Sequence, residues 1–151
     1  MAQRSSIVVQ GEPKIKEALA VAAITPGMLC EYTPSAATIR KHATGGGCAY
    51  AMFALEDENR GKGVTDDYSS ANIVRVGVFT PGDEVVGLLA AGETAVVGSY
   101  FESNGDGYLR VVDTDASWGA VSVHSVIAQS REALDLASSH TGSHHIKIMI
   151  I

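Results

Sequence analysis

Turn residues interrupt this chain at short intervals, and that spacing limits the folds it can adopt. Pro-Gly or Gly-rich turns occur at Pro26-Gly27, Gly45-Gly46-Gly47, Pro81-Gly82 and Gly105-Asp106-Gly107. The segments between them are short and rich in Val, Ile and aromatic residues. Short strands about 8–12 residues apart, separated by such turns, are typical of all-β barrels and sandwiches. We therefore predict an all-β fold, either a small β-barrel or a jelly-roll-like sandwich.

The order of the segments predicts an N-terminal arm followed by one domain. Residues 1–13 are predicted to form an extended N-terminal arm that ends at Pro13, and residues 14–151 a single β domain. Residues 14–24 combine polar–apolar alternation with alanines, and a following turn favours a strand. Residues 48–55 are apolar on both faces, which predicts a buried or interface strand. Residues 131–139 are compatible with one or two helical turns.

Charge and composition exclude some classes of partner. The chain carries 11 Lys and Arg against 17 Asp and Glu, for a net charge of -6. Neither direct nucleic-acid binding nor docking to an anionic membrane is expected from so acidic a chain. Charged residues make up 19% of the chain and hydrophobic residues 46%, whereas about 25% charged residues is typical of soluble domains. An under-charged surface predicts that some apolar area faces a partner.

Candidate metal sites are incomplete. Residues 102–113 partly fit a calcium loop, with Glu102, Asn104 and Asp106 at ligand positions and Asp113 at the last one. The first ligand is Glu where Asp is usual, the last is the shorter Asp, and a β-hairpin with glycines at positive φ explains the same pattern. The histidines lie on a Ser- and Gly-rich segment rather than on rigid elements; they are His140, His144 and His145. No metal and no cofactor is predicted.

Catalytic motifs are equally incomplete. Gly45-Gly46-Gly47 lacks the Gly-Lys-Ser/Thr ending of a phosphate-binding loop, and no Gly-x-Ser-x-Gly elbow is present. Cys30 and Cys48 lie in apolar segments, where a free cysteine behaves as a small hydrophobic residue. With no disulfide framework and no secretory signal pattern, we expect free thiols in an intracellular setting. The chain is not expected to be an enzyme.

An ordered series of short motifs resembles the tailed-bacteriophage capsid decoration, or cement, proteins. The matching stretches are GEP at 11–13, ITPGML at 24–29, FALEDE at 53–58, GKGV at 61–64, DDY at 66–68, PGDEV at 81–85, LLAAG at 88–92 and FESNGDGYL at 101–109. Each stretch alone is weakly specific, and their order carries the resemblance. The chain departs from the family pattern at residues 70–72, where a glycine turn is expected.

The resemblance implies a structural role on a virus particle. Such a protein binds the outer surface of a mature icosahedral head and bridges neighbouring major capsid proteins. It is made in the bacterial host cytoplasm and assembles as a homodimer or homotrimer. The alternative is a small β-barrel module that binds a glycan or another ligand on its loops. Exposed Tyr or Trp side chains on one face would favour that alternative.

Three regions are predicted to contact partners. The first is the N-terminal arm, whose strand could add to a neighbouring sheet. The second is the polar loop of residues 56–68, and the third is the closing strand. Tyr50, Phe53 and Trp118 are further candidate anchors, with burial in the core as the competing interpretation. The predicted contact residues are Ile7, Val8, Val9, Glu56, Asp57, Glu58, Arg60, Lys62, Asp66, Asp67, Tyr68, Ile146, Ile148 and Ile150.

Overall fold

The computed structural model of the chain describes residues 5–35, 37–112, 125–137, 142 and 144–151. These residues form thirteen strands and one 3₁₀ turn at Glu58–Arg60. The strands are β1 Val8–Gln10, β2 Lys14–Ala20, β3 Cys30–Tyr32, β4 Thr38–Lys41, β5 Met52–Ala54, β6 Ile73–Val78, β7 Glu84–Leu89, β8 Thr94–Ala95, β9 Tyr100–Ser103, β10 Leu109–Val111, β11 Ala128–Ser130, β12 Leu134–Asp135 and β13 His144–Ile150. None of the described residues lies in a helix long and apolar enough to cross a membrane.

Five strands close into a mixed barrel, which we call the first barrel. Its strand order is β7-β10-β9-β11-β13, and β13 returns to pair with β7 from Glu84–Met149 to Leu89–His144. The β10–β7 pairing is parallel and the other pairings are antiparallel. Closure removes the exposed sheet edges that invite aggregation. β1 adds to β7 beside β10, so the described part of the N-terminal arm lies on its own chain.

The interior of the first barrel follows from strand alternation. Successive side chains point to opposite faces of a strand, and in β13 Ile146, Ile148 and Ile150 are buried whereas Lys147 and Met149 are only partly buried. The other large side chains of this core include Ile7, Phe53, Leu89, Phe101 and Leu109. Gly87 allows close packing here, because a Cβ atom at this position would lie 2.8 Å from Leu109 Cδ1.

The other large sheet has the order β3-β4-β2-β6-β5, and we call it the second sheet. It curls until its two ends meet, with an antiparallel bridge between Leu29 and Phe53. The Ala54 amide donates to the Met28 carbonyl at 2.9 Å, and the Gly27 amide donates to the Ala54 carbonyl at 2.8 Å. Its separate core includes Ala18, Ile24, Met28, Ile39, Met52, Tyr68, Val74 and Val76. Leu88 of β7 also packs there, so β7 serves both cores.

The structure confirms the all-β barrel prediction and corrects two local ones. β2 confirms the predicted strand within residues 14–24. The prediction of helical turns at residues 131–139 is wrong for residues 131–137, which the structure describes, because Leu134–Asp135 pairs with β8. Within residues 48–55 only Met52–Ala54 is a strand, and Cys48 and Tyr50 are exposed. The division into an arm and one β domain stays a prediction.

Candidate partner-binding surface

The N-terminal arm is anchored by a buried carboxylate. Glu56 is buried, and its Oε1 accepts a hydrogen bond from Ser6 Oγ at 2.6 Å while its Oε2 accepts one from the Ile7 amide at 3.0 Å. Ile7 is fully buried, and its carbonyl accepts from the Val86 amide at 2.8 Å. Val8 is partly buried and Val9 is 41% exposed. Of the arm's predicted contact residues, Val9 presents the most surface.

The 56–68 loop is held in place by its own chain. Asp57 is buried and lies 3.5 Å from the guanidinium of Arg60. At the other end the Tyr68 hydroxyl donates to the Leu55 carbonyl at 2.6 Å. Burial raises the pKa of Tyr68 to about 12. Tyr68 therefore fixes the loop from inside rather than projecting from it.

The tip of this loop carries exposed charges of both signs. A left-handed Gly61, with φ of 68°, ends the 3₁₀ turn, and the Gly63 amide donates to Asp66 Oδ2 at 2.7 Å. These internal bonds fix the backbone, and an ordered backbone loses less entropy when a partner binds. The exposed charged residues are Glu58, Arg60, Lys62, Asp66 and Asp67. They are the members of the predicted contact set that a partner can reach most directly.

The predicted apolar contacts of the closing strand lie inside the molecule. Ile146, Ile148 and Ile150 are buried in the first barrel, as is Ile7 of the arm. The expectation that these side chains present an apolar surface to a partner does not fit their burial within one chain. The reason is that β13 pairs on both sides, with β7 and β11, and closes the barrel. Only the exposed or partly exposed members of the predicted contact set can therefore touch a partner.

In the segment that partly fits a calcium loop, the first candidate ligand forms an ion pair with an arginine of the same chain. Glu102 is buried, and the Arg110 guanidinium donates to its Oε1 at 2.8 Å. Asn104 donates to Asp106, and Gly105 and Gly107 have φ of 96° and 85°, as a hairpin turn requires. No group of three potential ligands from His, Cys, Asp and Glu forms a metal site within the described ranges. Asp113, Trp118 and His140 lie outside those ranges.

A buried contact joins His42, which follows β4 of the second sheet, to Ser103 of β9 in the first barrel, and sequence analysis did not find it. His42 Nδ1 lies 2.7 Å from Ser103 Oγ, and its Nε2 lies 3.2 Å from the Cys48 carbonyl and 3.6 Å from Glu31 Oε2. The residue types match a catalytic triad, but Ser103 is fully buried and its Oγ accepts a bond from the Gly105 amide. A substrate cannot reach this hydroxyl, so the contact is structural. No local motif joins positions 42 and 103.

Three residues of the incomplete metal, thiol and phosphate-loop motifs have structural contacts: His145, Cys30 and Gly46. His145 Nε2 is hydrogen-bonded to the Pro26 carbonyl at 3.1 Å. Burial raises the pKa of the Cys30 thiol to about 12, which leaves it inert as a nucleophile at neutral pH. The Gly46 amide donates to the Ser103 carbonyl at 2.8 Å, so this glycine packs against the hairpin. Cys48, by contrast, is exposed.

This chain resembles a known phage protein in its fold rather than in its sequence. No family model matches the chain, and no curated protein matches its sequence. Among solved structures, it is similar to the N base of head fiber gp8.5 from bacteriophage phi29. The TM-score is 0.56, with 13% sequence identity, and the match covers 93% of this chain and 95% of the other. At this identity the similarity establishes a shared fold.

Proposed function

We propose that this chain is a structural protein of a bacteriophage head, attached to the outer surface of the mature shell. The observation that carries the proposal is the fold shared with a phage head fiber base over nearly the full length of both chains. The ordered motifs resembling capsid decoration proteins support it independently, because they come from residues rather than from backbone shape. In this role the chain acts as a non-enzymatic cement that bridges major capsid proteins.

The exposed tip of the 56–68 loop suits attachment to a capsid surface. Three acidic and two basic side chains lie on a short, hydrogen-bonded segment. Charges arranged in a fixed pattern select a complementary partner and set its register more than they add affinity. A shell repeats the same site many times, so modest individual interfaces suffice. Each bound copy stabilises the assembled lattice by mass action.

The test measures binding of the purified chain to shells of the phage that encodes it, prepared without this protein. The wild-type chain should sediment with the shells and raise their melting temperature. Arg60→Glu combined with Lys62→Glu should weaken binding on the order of 10-fold, since two rim charges change sign. Lys14→Glu combined with Lys16→Glu makes the same change in net charge at exposed positions of β2 and should bind as wild type does. Shells that neither bind the chain nor gain stability would contradict the proposal.

The ligand-binding alternative has one observation in its favour. Tyr50 is 83% exposed, which is unusual for a large aromatic side chain. An exposed ring offers a face on which a sugar could stack, although the other exposed tyrosines, Tyr32 and Tyr100, lie on separate strands. A glycan array distinguishes the two functions. Sugar binding that Tyr50→Ala abolishes, without any binding to shells, would favour the alternative.

A further inference from the structure

An apolar strip lies on the outer face of the β2–β6 pair in the second sheet. Along β2, Ala18 and Ala20 face the core, so the alternate positions point outward. The large apolar side chains of the strip are Ile15, 45% exposed, Leu19, 44%, Val21, 48%, and Ile73, 46%. Leu19 and Ile73 are direct cross-strand partners. Apolar side chains grouped on one face in this way mark an interaction surface more reliably than scattered exposed residues do.

Two opposite charges divide the strip. Glu17 and Arg75 are cross-strand partners in the row between Ile15–Gly77 and Leu19–Ile73. Glu17 is exposed and Arg75 is partly exposed. Neither side chain forms an ion pair with another described residue. Neither charge therefore has a close opposite charge in the described part of its own chain, and the Arg75 side chain also lines the pocket beside Glu56 and Glu58.

The cross-strand pairs along this face, with a charged pair between apolar residues, are complementary to the same face of a second copy. Consider a two-fold axis that runs parallel to the strands, between two copies packed face to face. This axis leaves each cross-strand pair of β2 and β6 at the same height along the strands. It places β2 of one copy over β6 of the other. Glu17 then faces the second copy's arginine at position 75, and Leu19 faces its isoleucine at position 73. Isologous contacts of this kind are the commonest in homo-oligomers.

We propose that this face is the contact between two copies of the chain, which pair across a two-fold axis parallel to β2 and β6. A second copy buries the apolar strip and gives each of the two charges an opposite charge to pair with. Because the contact involves one strand pair, it belongs with small interfaces, and we expect a reversible dimer rather than an obligate one. The inference goes beyond the proposed function, since pairing is measured in solution without any shell.

Sedimentation analysis of the full chain tests the contact by charge reversal and mixing. Glu17→Lys alone and Arg75→Glu alone should each weaken the dimer on the order of 10-fold, because like charges then meet twice across the axis. An equimolar mixture of the two variants should regain wild-type affinity. In the mixed pair the introduced lysine faces the introduced glutamate, and the native arginine faces the native glutamate. Repulsion within each chain is unchanged by mixing, so recovery reports the contact between chains.

Glu12→Lys is the matched control for Glu17→Lys, because it makes the same change in net charge at an exposed position outside the strip and outside the 56–68 loop, and it should leave the dimer unchanged. Melting curves of each variant verify folding before mixing. A wild-type chain that stays monomeric up to about 1 mM, which corresponds to a contact weaker than roughly 4 kcal/mol, overturns the inference. So does an oligomer that both single variants leave intact, or one that the mixture fails to restore. Failure here with intact shell binding leaves the proposed function standing.

Discussion

Replacing Glu56 with alanine tests how the N-terminal arm is held on the first barrel. The change removes the acceptor of two hydrogen bonds, from Ser6 Oγ and from the buried Ile7 amide. Leaving a buried donor without a partner costs about 1–3 kcal/mol, and bonds to a charged group lie at the upper end. A pocket of about 180 Å³ next to Glu56 is lined by Ser6 and Val8 and can admit water, which limits the loss. We expect the free energy of unfolding to fall by about 2–3 kcal/mol.

Thermal denaturation and amide hydrogen exchange measure the effect. For a chain of this size the melting temperature should fall by about 5–10 °C. Exchange should accelerate at the amides of Ile7 and Val86, which the docked arm protects. Glu58→Ala is the matched control, because Glu58 is exposed and its loss should change stability by no more than about 0.5 kcal/mol. Equal melting temperatures and equal exchange in Glu56→Ala and wild type would refute this account of the arm.

Two further predictions concern stability. The ion pair with Lys147, aided by Arg131, lowers the pKa of Glu84 below its usual 4.5, so its contribution is complete above that pH and is lost as the pH falls through the folded-state pKa. Acid titration of Glu84→Gln should therefore show a shallower loss of stability than wild type, and identical acid limbs would contradict the assignment. Ala71 has φ of 68°, a conformation that favours glycine, so Ala71→Gly should stabilise the chain by about 0.5–1 kcal/mol in chemical denaturation. A destabilised variant would show that this turn is not strained.

The fold class was predictable because turn chemistry is local. Pro81-Gly82 and the 105–107 glycines mark turns by conformations that few other residues adopt. The resemblance to capsid decoration proteins also predicted a glycine turn at residues 70–72, and the structure has a positive φ at Ala71. Closure of the first barrel was not predictable in detail. It depends on β7 pairing with β13 across more than fifty residues, and no local signal specifies that register.

The candidate surface was only partly predictable, since periodicity reports burial but not what covers the buried side. Ile146, Ile148 and Ile150 alternate as a buried strand should, yet the alternation is the same whether the covering layer is another subunit or the same chain. Polarity identified the 56–68 loop, but Glu56 turns inward to hold the arm. The two hydrogen bonds of Glu56 join residues that are 50 and 49 positions apart in the sequence, so they form only once the chain is folded.

Electron microscopy of shells incubated with the purified chain tests the central claim most directly. Shells of the producing phage, prepared without this protein, should acquire regular density on their outer surface, with each copy spanning a junction between major capsid proteins. The decorated shells should also melt at a higher temperature than bare ones. Shells that remain bare at saturating protein, with an unchanged melting temperature, would contradict a structural role on the phage head.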